Sequence, residues 1–454
     1  MKKEIFNILG SFFFVLGLTF VLPLFGNSFS EVLEWMKTLL TTSRGWAFLL
    51  ISSAVVYLLF LLGRYFYRTY RSHGFRAFLL RLLTRLVLPL GVVVLLLYAA
   101  YSFNTSEDFD YRWDSSVENN TGSPLDLQSQ DGKLRGMTVY RLGQNREGEL
   151  DKLIRHNVEW VAVFPYLSQQ NEGSSKVNAR TSYEGWSAQD SAHIRTIQAA
   201  RKKKLKVMLK PHIWLMEGWR ANIQLEDEQE WESWFTSYRK EILHYAKMAA
   251  LTDAELFCIG TELRSSIKTQ PEAWITLIQD IRKVYSGKLT YAANWDREYK
   301  EVAFWDQLDY IGVQGYFPLT KEKNPSIELI RQGWKKPIEQ LSAFSKEQNK
   351  PVLFTEIGYR NDPAATVRPW EWSSSLSSFY SKKSDRTQYN AYEALFEELW
   401  NQEWFAGLFA WQWTSGDFPI RNKPAANAIA KWYGSQAEPS SEFQQTGPDE
   451  AQYP

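Results

Sequence analysis

A single cysteine, Cys258, stands in the 454-residue chain, so no intramolecular disulfide can form. It sits in the apolar run L-F-C-I-G, where a thiol serves as a small core side chain. There are only five histidines, and no second His or Cys stands at zinc-ligand spacing from any of them, so no metal site is expected. Neither sign of charge predominates. The formal net charge of +1 averages a basic N-terminal segment against a more acidic remainder, and no basic stripe with interleaved aromatics offers itself to nucleic acid. The long apolar runs are confined to the first hundred residues, an unevenness that favours more than one structural unit.

Those runs are Ile5 to Phe25, Trp46 to Gly63 and Leu86 to Tyr101, each free of charge and close to the roughly 20 residues that a bilayer-crossing helix needs. They predict an N-terminal region, residues 1–103, of three transmembrane helices in contact with the lipid bilayer. Lys2 and Lys3 precede the first run as in a signal peptide, but its length and the lack of a small-residue cleavage site favour an anchor. Between the second and third runs lie Arg64, Arg68, Arg71, Arg76, Arg81 and Arg85 with no acidic residue. Positive segments stay in the cytoplasm. The third run then delivers everything beyond Ser102 to the other side of a cytoplasmic membrane crossed more than once.

Residues 104–134 are polar and without sustained periodicity, as in a linker. The stretch 434–454 reads as a disordered tail. Between them, over 135–433, short apolar runs alternate with longer amphipathic stretches, the pattern of βα units around a parallel sheet. Eight strands are expected: Gly136 to Tyr140, Trp160 to Tyr166, Val207 to Trp214, Leu256 to Leu263, Thr290 to Trp295, Tyr310 to Phe317, Val352 to Gly358 and Leu408 to Trp413. Helical patterns run from Ala192 to Lys204, Gln229 to Met248, Ala273 to Val284, Ile327 to Glu347 and Gln388 to Asn401. Alternation alone suits an open doubly wound sheet as well as a barrel. The polar residues favour the barrel, because strand after strand ends in groups fit for chemistry or sugar contact: K-P-H-I-W, G-T-E-L, A-N-W-D, Q-G-Y-F, T-E-I-G-Y and W-Q-W. Only a (β/α)8 TIM barrel gathers every carboxyl end around one mouth.

Two glutamates close apolar strands, Glu262 the fourth and Glu356 the seventh. A carboxyl group directly after a buried run is costly unless it is used. Retaining glycoside hydrolysis needs two such groups roughly 5 to 5.5 Å apart.

The motifs L-K-P-H-I-W (Leu209 to Trp214), I-G-T-E-L (Ile259 to Leu263), G-V-Q-G-Y-F (Gly312 to Phe317), F-T-E-I-G-Y (Phe354 to Tyr359) and A-W-Q-W (Ala410 to Trp413) resemble clan A glycoside hydrolases. In particular they resemble glycoside hydrolase family 113, the β-mannanases, over 135–433. The resemblance implies Glu262 as general acid/base and Glu356 as nucleophile, roles that the chemistry alone leaves open. Most of clan A has asparagine immediately before the acid/base. Here Thr261 stands there, with a shorter hydroxyl in place of an amide, and Asn294 on the fifth strand is the expected substitute contact to the sugar 2-position.

Tyr316 is expected to hydrogen-bond the nucleophile. Lys210 and His212, two residues apart on the third strand, point to one side and are expected to bind sugar hydroxyls along with Trp214. Trp411 and Trp413 on the eighth strand both stand as candidates for sugar contact. Trp370, Trp372 and, more weakly, Trp186 are candidates for distal sugar sites, since flat aromatic faces match pyranose C–H faces. The expected activity is retaining hydrolysis of a β-linked glycan, mannan on the family's precedent, outside the cytoplasmic membrane and without a cofactor. The alternatives are a barrel that binds glycan without cleaving it, in an envelope polysaccharide system, and a membrane protein whose barrel docks partners.

Overall fold

A computed structural model of the chain describes residues 2–21, 29–41, 43–105, 109–140, 142–143, 145–179, 187–372, 382–414 and 416–437. Trp186 and the tail from 438 onward lie outside the described residues. The chain divides into two compact units, Met1–Ser102 and Phe103–Pro454.

In the first unit, α1 (Lys2–Val21) and α2 (Phe29–Thr41) precede α3 (Ser43–Leu82), which passes through a short π-helical segment, Leu83–Val87, into α4 (Leu88–Thr105). The expectation of three separate spans is corrected here. Among the described residues one helix, Gly45–Ser102, is long and apolar enough to cross a membrane, and the apolar helix Asn7–Thr19 is shorter. The arginine-bearing segment, expected as a loop, is helical because Arg, Leu and aromatic residues sustain a helix and no proline interrupts them. Gly74 alone leaves helical geometry (φ 78, ψ −179). Across it, Arg81 donates to Thr69 and Arg85 lies over the Tyr65 ring. A straight helix would separate those pairs by roughly 18 and 30 Å, so the helix turns back at Gly74.

The second unit is built on a closed parallel barrel of eight strands. These are β1 (Leu134–Val139), β2 (Trp160–Val163), β5 (Lys206–Leu209), β7 (Leu256–Thr261), β8 (Lys288–Asn294), β9 (Tyr310–Gln314), β10 (Val352–Ile357) and β11 (Phe405–Ala410). Sequence neighbours pair in turn, and β11 closes on β1 with Leu134 opposite Gly407. Their near-continuous apolar character follows from burial on both faces, inward among the barrel's own side chains and outward under helices. All five expected helices form, at Ala188–Lys202, Glu228–Leu251, Pro271–Val284, Ile327–Gln348 and Asp385–Leu399.

One expected strand is split. Pro211 has no N–H for the ladder, so the barrel strand ends at Leu209, and β6 (His212–Leu215) pairs instead with β3 (Tyr166–Gln169). With β4 (Asn178–Ala179) these form a three-stranded sheet beyond the barrel mouth. The segment read as a linker is tied to the barrel from Tyr111 onward. Tyr111 donates to Asn427, Asn119 N–H to the Arg155 carbonyl, and the backbone N–H groups of Leu127 and Gln128 to the buried Glu159.

Candidate active site

At the carboxyl ends of the barrel strands lies a cavity of about 1040 Å³ whose lining includes both Glu262 and Glu356. The two strand-end glutamates, 94 residues apart in sequence, therefore share one wall-to-wall space. Each is almost entirely buried and each is held differently.

Glu356 lies within β10. The Tyr316 hydroxyl donates to its Oε1 at 2.5 Å, and the Lys210 ammonium donates to its Oε2 at 2.9 Å. Lys210 also reaches Gln314 Oε1 at 2.8 Å and the Thr355 carbonyl at 3.2 Å. All three ammonium protons thus have partners, and Lys210 is fixed behind the carboxylate and is absent from the cavity lining. Burial, together with the adjacent Glu356 charge, pushes the Tyr316 phenol well above its ordinary range, so it remains a donor at neutral pH.

Glu262 follows β7 directly. Its backbone sits at φ 54, in the left-handed region that costs a residue with a Cβ about 1–2 kcal/mol. The turn brings its carboxyl to Arg220, whose Nη2 lies 2.6 Å from Oε2, while Asn294 Nδ2 lies 3.4 Å from Oε1. Arg220 itself is stacked over Trp219 at 4.8 Å. Nothing in the strand pattern marked Arg220, because it lies in a short 3-10 turn, Arg220–Asn222, after β6.

His212 and Trp411 form one side of the cavity, with rings near parallel at 6.3 Å, and Phe164 packs on Trp411 at 5.0 Å. Burial, with the nearby Lys210 and Arg220 charges, holds the His212 imidazole well below its ordinary value, so it is neutral. Its Nε2, Trp411 Nε1 and Arg220 Nε are buried polar atoms without a protein partner, and all three residues line the cavity. Buried polar groups are rarely left so unless something else satisfies them. Trp214, 49% exposed, and Trp372, 59% exposed, stand at the rim. Trp370 stacks on Trp295 at 5.0 Å, and Trp372 packs edge-on to Phe418 at 5.2 Å.

Besides Lys210, two further expected sugar contacts lie outside the lining. Trp413 faces away from the cavity, fully buried, donating to Glu149 Oε2 at 2.8 Å with its ring edge-on to His156. β11 ends at Ala410, so the rule that puts residues two apart on one face of a strand does not extend to Trp411 and Trp413. Thr261 is buried behind Glu262, its hydroxyl without a partner, and is absent from the lining. Asn294, Trp214, His212, Tyr316 and Trp411 do line it. Trp295, Asp296 and Gln412, from the strand-end motifs A-N-W-D and W-Q-W, also line it, and so do Tyr140, Tyr166, Trp219 and Asp417, which the sequence pattern did not mark as site residues. Among the described residues no group of three or more His, Cys, Asp or Glu is placed to hold a metal ion.

The model of the family Glycoside Hydrolase Family 113 matches residues 138–434. Among solved structures, a β-1,4-mannanase of that family, determined as a complex, is similar at 26% identity with a TM-score of 0.57, covering 67% of this chain and 99% of that one. The β-mannanase of Alicyclobacillus acidocaldarius, in complex with ManMIm, is similar at 25% identity and a TM-score of 0.58, covering 66% and 97%. No curated protein matches the chain.

Proposed function

The chain belongs to glycoside hydrolase family 113, and from that premise we propose that this glycoside hydrolase cleaves β-linked glycans, β-mannan among them, with retention of anomeric configuration. The observation that carries the reading is the unequal tethering of two glutamates in one cavity: Glu356 by Lys210 and Tyr316, Glu262 by Arg220 and Asn294. Mannan as substrate is drawn from the β-mannanases that the chain resembles.

In this reading a Glu356 oxygen attacks the anomeric carbon as the glycosidic C–O bond breaks, and Glu262 passes its proton to the departing oxygen. Lys210 and Tyr316 hold Glu356 in position, so attack costs little reorganisation. In the second half Glu262 takes a proton from water, the water oxygen bonds to the anomeric carbon, and Glu356 leaves as carboxylate. His212 Nε2, Trp411 Nε1 and Arg220 supply polar contacts to sugar hydroxyls, while the rim tryptophans offer flat faces to successive rings. No cofactor enters these steps.

We place the barrel outside the cytoplasm. The support is the arginine-bearing segment, which the positive-inside tendency keeps in the cytoplasm, followed by the apolar run to Tyr101.

The test is hydrolysis of a panel of β-linked glycans, mannan and mannooligosaccharides included, by the full-length protein beside Glu356→Ala and Glu262→Ala. NMR would identify the anomer formed first. Retention, abolished turnover in the first variant and strongly reduced turnover in the second support the proposal. Inversion defeats the retaining mechanism, and glycan binding without turnover returns the chain to a binding role.

A further inference from the structure

Behind Glu262 lies a third carboxyl group that the proposed reaction does not use. Glu298 opens the four-residue helix Glu298–Glu301 and is fully buried. Its Oε1 accepts the Tyr291 hydroxyl at 2.5 Å, and its Oε2 accepts the Asn294 backbone N–H at 2.9 Å. The Tyr291 hydroxyl in turn accepts the Leu263 N–H at 2.7 Å. Both arms of this network arrive at Glu262. Leu263 is its neighbour in the chain, and Asn294 is the residue whose side-chain amide lies against its Oε1.

The left-handed backbone of Glu262 gives these contacts a purpose. A residue held in that region persists there only when its surroundings over-determine it. Here the Glu262 N–H is fixed by the Ala292 carbonyl at 2.9 Å and the next N–H by Tyr291. Without the second bond the peptide after Glu262 is free to rotate, and the carboxyl would swing with it. A buried carboxyl group is also an expensive way merely to fill space. The nearby cation Arg264 is engaged with Glu301 at 2.7 Å and does not pair with Glu298. Burial pushes the Glu298 carboxyl up to about 8, opposed by the Tyr291 and Asn294 hydrogen bonds and reinforced by the charge of Glu262.

We propose that Glu298 and Tyr291 are positioning residues for Glu262, fixing through Leu263 on one side and Asn294 on the other the direction in which its carboxyl enters the cavity. This rests on Glu262 being the acid/base. A role in positioning an acid has a signature that general destabilisation lacks. It matters for a leaving group that must be protonated and hardly at all for one that departs unaided.

The experiment compares full-length wild type, Tyr291→Phe and Glu298→Gln on phenyl and 2,4-dinitrophenyl β-mannobiosides. Thermal unfolding establishes that each variant is folded. The expected result is a loss of tenfold or more in kcat/KM on the phenyl glycoside and less than threefold on the dinitrophenyl glycoside. Equal losses on both, or none on either, overturn the proposal. Should wild type cleave neither glycoside, the substrate assignment is what fails. Hydrogen exchange of peptides spanning Thr261 to Arg264 then decides. Faster exchange there in Tyr291→Phe, with the other barrel strands unchanged, supports the tether, and unchanged protection overturns it.

Discussion

Lys210 shows how far a residue's role can shift between pattern and structure. Its place on a strand end suggested a sugar contact, yet its ammonium is spent on Glu356, Gln314 and the Thr355 carbonyl. Replacing it by methionine is expected to lower kcat by about a hundredfold, in the range found when one preorganised electrostatic contact is removed, with KM little changed. A rise in KM alone, measured by steady-state kinetics, would return Lys210 to the sugar. Glu298 makes a second prediction, on stability. Its carboxyl is raised from the ordinary 4.5 to about 8, so between those values the folded chain binds more protons than the unfolded one. Stability therefore falls as pH rises through that window and levels off above it. Thermal unfolding of Glu298→Gln between pH 5 and 8 should fall less steeply than that of wild type. Equal slopes would contradict the shift. The strand-end glutamates, Tyr316 and His212 were legible because each follows an apolar run. Arg220, Tyr291 and Glu298 were not, since one lies in a loop turn, one inside a strand and one in a short helix, and only folding brings them to Glu262.

At the level of elements, the eight barrel strands could be read because burial on both faces leaves an unbroken apolar run, which loops do not imitate. The break at Pro211 was visible as a residue but not as an event, because the partner that accepts β6 is supplied by β3, more than 40 residues earlier. The helices Arg146–Arg155 and Pro424–Tyr433 escaped notice. The first is mostly charged, and the second spans only ten residues, too few for a helical period to stand out from a short apolar run. Closure of β11 on β1 depends on Gly407, at φ 116, where a Cβ would stand 2.3 Å from the Leu134 carbonyl oxygen. Both the backbone conformation and the contact disfavour any side chain. Gly407→Ala should cost about 2 to 4 kcal/mol, read as a lowered Tm of the barrel unit. An unchanged Tm would mean that the seam tolerates a shift of β1.

For the whole molecule, the boundary of the barrel unit matters more than the motifs suggest. The family match begins at residue 138, but Glu159 is buried and takes its hydrogen bonds from Leu127 and Gln128. A chain beginning at Phe103 should fold and retain hydrolysis, whereas one beginning at Arg135 leaves that carboxyl group unpaired. A buried polar group stripped of its partners costs about 1 to 3 kcal/mol or more. Comparison of their Tm values checks this, and equal stability would show the preceding segment to be dispensable. The proposed location has its own test. Protease added to intact cells whose outer layers are permeable to it should digest the unit following Ser102, and complete protection would place that unit in the cytoplasm.

The split strand has a further consequence for the cavity's two sides. One side rises on β3 and β6, whose backbone hydrogen bonds carry Tyr166, His212 and Trp214 upward from the barrel as a continuation of its masonry. Another part of the lining, Trp370 and Trp372, meets its neighbours ring against ring, Trp370 on Trp295 and Trp372 on Phe418 and Trp411. The groove thus has one bank tied by backbone hydrogen bonds and another held by ring contacts. Exchange of rings on the second can lengthen, narrow or redirect the path of a glycan while the masonry, and the two glutamates at its foot, stay as they are.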